Sequence, residues 1–447
     1  MNYIQAISGL NDKVFSETGR KPSMFIQTFG CQMNDRESEK LYGYLAAMGY
    51  EEAPVEEQAD LVLYNTCCVR ESAENKVYGK LGNLKSQKEK HPEKIIVFCG
   101  CMPQREDVMT QIYKHHKHVD VIFGTFNKHH FPMLLYRRLT EGKPAAEILH
   151  SYSDLPSEDF EQQVSRFLPH KAGVTIMHGC DNFCSYCIVP HVRGREKSRE
   201  PDDILKEINS LASDGVKEVM LLGQNVNSYI FGFPGLLQKI ADVPEIKRVR
   251  FMTSHPKDLS RELIKVISEN DKICKHIHLP IQAGSDKVLK AMNRGYTKEQ
   301  YLDLVYRLRT EIPAISVTTD IIVGFPGETE EDFEDTLDAV QKAEFSGAFT
   351  FLYSHRKGTP AAEMTTEVPR ETAQNRFNKL IQLLNPIQLA YNKRFYNKVV
   401  EVFADNDSSG RADNNILVHF EGKASAGSII NVQINECKTF YMKGNIV

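Results

Sequence analysis

Residues 178–194 read HGCDNFCSYCIVPHVRG, which sets Cys180, Cys184 and Cys187 in a C-x3-C-x2-C spacing. Three soft thiolates in one short loop suit iron–sulfur ligation. They would hold three irons of a 4Fe-4S cube and leave the fourth open to a small molecule. Zinc is the competing reading. A structural zinc site wants a fourth Cys or His, and His178 and His191 lie close in sequence.

Around this loop the chain repeats one unit. VTIMHG (174–179), EVMLLG (218–223), RVRFMT (248–253), HIHLPI (276–281), SVTTDIIVG (316–324) and AFTFLY (348–353) read as strands. Helical periodicity follows at 202–213, 258–269, 297–311 and 329–343. Repeated strand–helix pairs over 171–390 predict a full or partial parallel barrel, with its chemistry at the C-terminal strand ends. The cysteine loop follows the first of these strands.

Residues 22–150 alternate in the same way. MFIQTF (24–29), LVLYN (61–65), KIIVFC (94–99) and VDVIFG (119–124) are short apolar runs, with helical patterns at about 35–48, 70–90 and 104–117. Continuous apolar strands predict a doubly wound parallel sheet buried on both faces. Cys31, Cys67 and Cys101 each fall just past a strand. Such ends share one edge of a parallel sheet, so these thiols can meet and hold a second, auxiliary cluster. Cys68 adjoins Cys67 and is expected to point elsewhere. Cys99 lies within a strand and reads as a small buried hydrophobe. Cys274 and Cys437 stand alone and read as structural.

The remaining stretches are simpler. Residues 1–21 lack a secretory pattern and read as a short extension. Residues 151–170 have no clean period and read as a linker. A helical stretch at about 370–396 leads to 391–447, where KVVEVFA, ILVHFEG, SIINVQI and TFYMKG alternate between turns, predicting a small all-β barrel or sandwich. The expected fold class is thus α/β multidomain: a doubly wound N-terminal domain (22–150), a partial βα barrel (171–390) and a C-terminal β-barrel (391–447). Net charge is −4, which gives no global sign of nucleic-acid binding. No apolar run approaches the ~18 residues that cross a bilayer, so no membrane partner is expected. Ten cysteines in a cytoplasmic chain are not structural disulfides, because that compartment keeps thiols reduced.

The C-x3-C-x-aromatic-C pattern, with Tyr186 as the aromatic, resembles the radical S-adenosylmethionine (SAM) superfamily. GCQMNDRESE (30–39), NTCCVRESAENKVYGKLG (65–82), CGCMPQRE (99–106), CSYCIVPHVRGREKSR (184–199), LLGQNVNSY (221–229), TSHPKDLS (253–260), HLPIQAGSDKVLKAMNRGYT (278–297) and DIIVGFPGETEEDF (320–333) resemble its methylthiotransferases over nearly the whole chain. That resemblance implies two 4Fe-4S clusters. One, on Cys180, Cys184 and Cys187, binds SAM and yields a 5′-deoxyadenosyl radical. The other, on Cys31, Cys67 and Cys101, is auxiliary, and a first SAM methylates a sulfur there. All six cysteines are therefore expected metal ligands and catalytic residues.

SAM-site residues follow less specifically. Gly223, Gln224 and Asn225 resemble the segment that receives the methionyl amine. Gly324 ends a strand where an adenine could approach the backbone. Tyr186, Ser254, His255, Gln282 and Arg294 lie in the cluster loop or at or after strand ends, where they contact SAM or substrate, or make ordinary turn contacts. Arg193, Arg195, Lys197 and Arg199 form a basic run, read either as a phosphate or cofactor contact or as a solvated helix entry. The C-terminal module resembles a TRAM RNA-binding barrel.

The GCQMN and LLGQNVNSY segments favour the branch that methylthiolates carbon 2 of isopentenyladenosine at position 37 of tRNA. Its partners are the tRNA anticodon stem-loop, an electron donor and a sulfur source, and a monomer is expected. A sister enzyme acting on a ribosomal-protein aspartate and a non-catalytic iron–sulfur RNA sensor remain as alternatives.

Overall fold

In the computed structural model the described residues are 1–69, 71–150 and 166–447. Most of the linker expected at 151–170 lies outside them. The chain forms two compact units: Met1–Phe167 with His178–Asp181 and Cys187–Glu196, and Leu168–Met177 with Asn182–Tyr186 and Lys197–Val447.

The first unit is built on six parallel strands: β1 (Ser23–Thr28), β2 (Glu51–Glu52), β3 (Leu61–Thr66), β4 (Ile95–Gly100), β5 (Val121–Phe123) and β6 (Ala145–Glu147), in the order β2-β1-β3-β4-β5-β6. Every residue of β3 and β4 is buried, because side chains alternate between two covered faces. Val62, Tyr64, Ile96 and Phe98 pack with Val77, Leu81 and Leu84 of α3 (Glu71–Lys90) and Val108 and Ile112 of α4 (Glu106–His115). Leu61, Leu63, Ile95 and Val97 pack on the other side with Leu41 and Leu45 of α2 (Gln32–Ala47) and Leu134 and Leu135 of α5 (Phe131–Glu141).

The N-terminal extension expected before residue 22 is instead a helix, α1 (Tyr3–Thr18). Asn2 caps it by accepting from Gln5 N at 3.3 Å, and Gly19 ends it at φ 71°. Ile7 is fully buried, and Asn11 Nδ2 donates to Met48 O at 2.9 Å. Ile4, Ile7, Leu10 and Val14 recur at helical spacing, and Ile4 and Ile7 pack on the sheet core; the reading as a short extension passed over that period.

In the second unit six parallel strands follow chain order. β7 (Lys171–Thr175), β10 (Glu218–Leu222) and β11 (Arg248–Phe251) pair as one sheet, and β12 (His276–His278), β13 (Ser316–Val323) and β14 (Gly347–Leu352) as another. A Val249–Ile273 bridge joins them. The strand expected at 174–179 therefore ends earlier, at Thr175. Two-residue strands β8 (Met177–His178) and β9 (Lys197–Ser198) flank the cysteine loop. Helices α7 (Pro201–Ser213), α8 (Phe233–Ala241), α9 (Arg261–Glu269), α10 (Asp286–Ala291), α11 (Lys298–Glu311) and α12 (Glu330–Ala343) follow the strands, and α13 (Arg370–Lys393) leads to the C-terminal barrel. There β15 (Val399–Ala404), β16 (Ser409–Ala412), β17 (Leu417–Glu421), β18 (Ile429–Cys437) and β19 (Tyr441–Ile446) close in the order β15-β16-β17-β19-β18.

That small barrel seats under the N-terminal ends of the parallel strands. Glu218, the first residue of β10, pairs with Lys171 Nζ at 2.9 Å and Arg250 Nε at 2.9 Å. Arg250 also donates to Ala412 O at 2.9 Å and Asp413 O at 3.1 Å, and Arg248 donates to Glu401 Oε1 at 2.8 Å and Arg411 O at 2.8 Å. Lys171 also pairs with Asp405. The C-terminal strand ends are left to the chemistry, as parallel barrels require.

Candidate active site

In the first unit Cys31, Cys67 and Cys101 follow β1, β3 and β4. These strands are neighbours, and the chain order reverses between β1 and β3, the position where doubly wound sheets take their ligands. Thr66 O knits the loops together. It accepts from Cys101 N at 2.9 Å and from Asn34 Nδ2 at 2.9 Å, while the same Nδ2 reaches Phe29 O at 2.8 Å. Two glycines are required by this closeness. Gly30 (φ 114°) would put a Cβ 2.3 Å from Cys67 Cβ, and Gly100 (φ 97°) would put one 2.4 Å from Thr66 O.

Burial pushes the Cys67 thiol up, reinforced by Cys101 and Cys31. Cys101 goes the other way: a hydrogen bond from Cys68 holds it down against burial, and the Arg193 guanidinium adds to this. Cys68 therefore turns toward the cysteine group, contrary to the sequence expectation; it lies beyond the end of β3 at Thr66, where strand alternation no longer applies. Cys99 is buried in the opposite apolar layer, its Sγ 3.5 Å from Tyr64 O. Among the described residues, no three His, Cys, Asp or Glu side chains close on a point for one metal ion. The Cys31, Cys67 and Cys101 thiols interact with one another and with the buried Arg193 guanidinium, a set of soft donors of the kind that suits an iron–sulfur cluster.

The C-x3-C-x2-C loop is pinned from several directions. In the first unit Cys180 N donates to Gly194 O at 3.1 Å, and α6 (Val189–Arg193) sets Val192 in the sheet core, where its carbonyl accepts from Thr125 Oγ1 at 2.7 Å. In the second unit Ser185 N and Oγ donate to Met292 O at 3.0 Å and Ala291 O at 2.8 Å. Asn293 Nδ2 donates to Asn182 O at 3.2 Å and Phe183 O at 3.1 Å. Tyr186 packs on the barrel core. Arg294 is buried and directs Nη1 at Cys184 Sγ (3.3 Å), Nη2 at Pro280 O (2.9 Å) and Nε at Tyr296 Oη (2.9 Å).

The barrel mouth collects the other expected residues. Ser254 Oγ, His255 Nε2 and Gln282 Oε1 are buried atoms with no hydrogen-bond partner in the protein. Orphaned polar groups of this kind call for a ligand. Thr253 and Gln282 both sit at φ 70°, a strained conformation outside glycine that marks functional loops. His255 Nδ1 accepts from Lys257 N at 3.2 Å, so its proton sits on Nε2 and that atom is a donor. Burial, with Arg294 nearby, lowers His255 to about 2, so the ring stays neutral.

Three expected SAM contacts have contacts of their own. Asn225 uses Nδ2 on Asp258 Oδ2 (2.7 Å) and Oδ1 on His255 N (3.1 Å), bracing the β10 and β11 loops. Gly223 leaves room for Met177, whose Cγ would lie 2.6 Å from an added Cβ. Gly324 (φ 78°) donates its N–H to Glu328 Oε1 at 3.1 Å. Gln224 is half-buried between Gly223 and Asn225. Sequence reasoning passed over Tyr353 at the end of β14, whose buried hydroxyl also lacks a partner. Its place after a strand was the only available signal. The basic run divides: Arg193 and Arg199 are buried in ion pairs with Glu37 and Glu207, and Arg195 pairs with Asp181.

A cysteine loop after the first strand of a partial barrel, in a chain with orphaned polar groups at later strand ends, is the pattern of a radical SAM enzyme, and residues 174–340 match the Radical SAM superfamily. Residues 23–124 match the family described as Uncharacterized protein family UPF0004. The chain is 49% identical to the tRNA-2-methylthio-N(6)-dimethylallyladenosine synthase of Acetivibrio thermocellus, covering 100% of this chain and 95% of the relative. It is 50% identical to that of Lachnoclostridium phytofermentans over 97% of this chain and 98% of the relative. It belongs to the tRNA-2-methylthio-N(6)-dimethylallyladenosine synthase family. Among solved structures it is similar in fold to the radical SAM methyltransferase TsrM from Kitasatospora setae, with a TM-score of 0.53, 14% identity, and coverage of 76% of this chain and 77% of that one.

Proposed function

We propose that Cys180, Cys184 and Cys187 hold a SAM-binding 4Fe-4S cluster, that Cys31, Cys67 and Cys101 hold an auxiliary one, and that the chain methylthiolates carbon 2 of N6-dimethylallyladenosine at position 37 of tRNA. The observation that carries this reading is the pairing of two cysteine sets, one at the switch point of a doubly wound sheet and one in the first loop of a partial barrel, in a chain kin to such synthases along its length.

When bound, the two clusters and SAM supply one-electron cleavage of the sulfonium and a methylated sulfur, which no side chain here can provide. The protein's own groups do the rest. Arg294 delivers positive charge to Cys184 and fixes the loop that carries it. Ser254, His255 and Gln282 offer a hydroxyl, a fixed N–H donor and an amide oxygen to SAM and the target base. Asn225 and Asp258 keep the loop carrying His255 in place, so these groups meet the ligand in a preset geometry. A base in an anticodon loop is single-stranded and can be splayed into such a site at modest cost. The reaction also consumes electrons and sulfur, so a reductant and a sulfur source are its further partners. A tRNA substrate places the work in the cytoplasm. Among the described residues no helix is long and apolar enough to cross a membrane.

Anaerobic reconstitution followed by assay on anticodon stem-loops, with and without the dimethylallyl group, tests this. The expected result is about eight irons per chain and product only from the prenylated RNA. About four irons overturns the two-cluster reading. Methylthiolation of a ribosomal-protein peptide in place of RNA overturns the substrate.

A further inference from the structure

Arg193 closes α6, six residues after Cys187. It is 3% exposed. Its Nη1 donates to Glu37 Oε1 at 2.8 Å, and Nη2 to Glu37 Oε2 at 3.2 Å and Asn34 Oδ1 at 2.6 Å. Lys128 Nζ reaches the same Glu37 Oε1 at 2.8 Å. Burial alone would raise the Glu37 carboxyl, but Arg193 and Lys128 hold it well below the usual range. The buried Arg193 and the partly buried Lys128 therefore share one carboxylate. A buried cation needs counter-charge, and besides Glu37 the Cys101 and Cys31 sulfurs lie close enough to Arg193 to interact with its charge.

Asn34 makes the arrangement more than electrostatic. Its Nδ2 clamps Phe29 O to Thr66 O, the residues that precede the Gly30–Cys31 turn and Cys67, and its Oδ1 accepts a hydrogen bond from Arg193 Nη2.

We propose that Arg193 is a positioning residue of the auxiliary centre: it supplies the counter-charge to the Cys31 and Cys101 sulfurs and seats the Asn34 clamp between the Cys31 and Cys67 loops. The helix that carries it directly follows the last cysteine of the other cluster loop, so one short segment serves both cysteine sets. The inference rests on the proposed auxiliary cluster at Cys31, Cys67 and Cys101.

The test uses the full chain with Cys180, Cys184 and Cys187 replaced by Ala, so that only the auxiliary cluster reports. Arg193→Gln and Arg193→Lys are added separately, and iron content, EPR spectrum and midpoint potential are read anaerobically. Removing a positive charge disfavours the more negative reduced state. Arg193→Gln is therefore expected to move the midpoint to more negative potential and alter the EPR signal, and Arg193→Lys to recover most of the shift. Loss of cluster in the Gln variant with retention in the Lys variant also supports the proposal. An unchanged midpoint and spectrum in a fully loaded Gln variant overturns it. So does equal loss of cluster in both variants with a lowered unfolding midpoint, which would make Arg193 only a packing residue. If the parent triple variant holds no iron, the auxiliary-cluster reading itself falls.

Discussion

Arg294 Nη1 stands 3.3 Å from Cys184 Sγ, and the same guanidinium is tied to Pro280 O, which follows β12. A cysteine of the cluster loop is thus held by charge to the barrel's C-terminal edge. A hydrogen bond to a charged group contributes about 1.5–3 kcal/mol. Arg294→Met should therefore slow SAM cleavage by roughly ten- to a hundredfold, with Arg294→Lys intermediate, because an ammonium cannot reproduce the three-way fork. Product 5′-deoxyadenosine quantified under reducing conditions checks this. An Arg294→Met enzyme cleaving at the parent rate would contradict it.

His255 separates charge from hydrogen bonding. With its proton on Nε2 and its pKa near 2, it serves as a neutral donor across the working pH range. His255→Gln, which can present an N–H, should retain SAM binding better than His255→Ala. Neither substitution should remove an inflection near pH 6.5 from the activity profile, because none belongs to this ring. Equilibrium binding of SAM and a pH series decide both points.

Gly30→Ala should selectively empty the first cysteine set. The new methyl would press on Cys67 Cβ and Sγ at 2.3 and 2.7 Å, at a backbone φ of 114° that L-residues rarely accept. Iron near four per chain, with SAM cleavage retained and methylthiolation lost, is the expected pattern. Full iron loading of the variant would be the contrary result.

Glu218 reports on the barrel floor. Burial would raise its pKa, but Arg250 and Lys171 pull it below the usual carboxylate value. A carboxylate depressed in the folded state stabilises fully above its unfolded value of about 4.3, and that contribution fades as pH falls through the folded value. Glu218→Gln should cost about 3–5 kcal/mol near neutrality by leaving the buried Arg250 without its carboxylate, and should flatten the acid limb of a stability–pH curve. Deleting residues 397–447 should be comparably damaging, since it removes the acceptors Glu401, Arg411 O, Ala412 O and Asp413 O from Arg248 and Arg250. Thermal denaturation of both variants measures these effects.

Spacing and period in the sequence alone determined the βα alternation, the doubly wound first sheet, the all-β C-terminal module, the placement of Cys31, Cys67 and Cys101 just past strand ends and that of the other three cysteines in the loop after the first barrel strand. These are local properties: a strand end and the residue after it are neighbours in the chain, and apolar periodicity records which faces are covered. Tertiary structure decided what local pattern cannot carry. An arginine reads the same whether solvated or buried, and only folding brought Arg193 to Glu37 across 156 residues. The hydrogen bond between Cys68 and Cys101 likewise joins residues of two different strand-end loops. The seat of the C-terminal barrel beneath the strands rests on pairs such as Arg248–Glu401, 153 residues apart. Long-range ion pairs are specified by three-dimensional proximity and shared desolvation, and neither leaves a period in the chain.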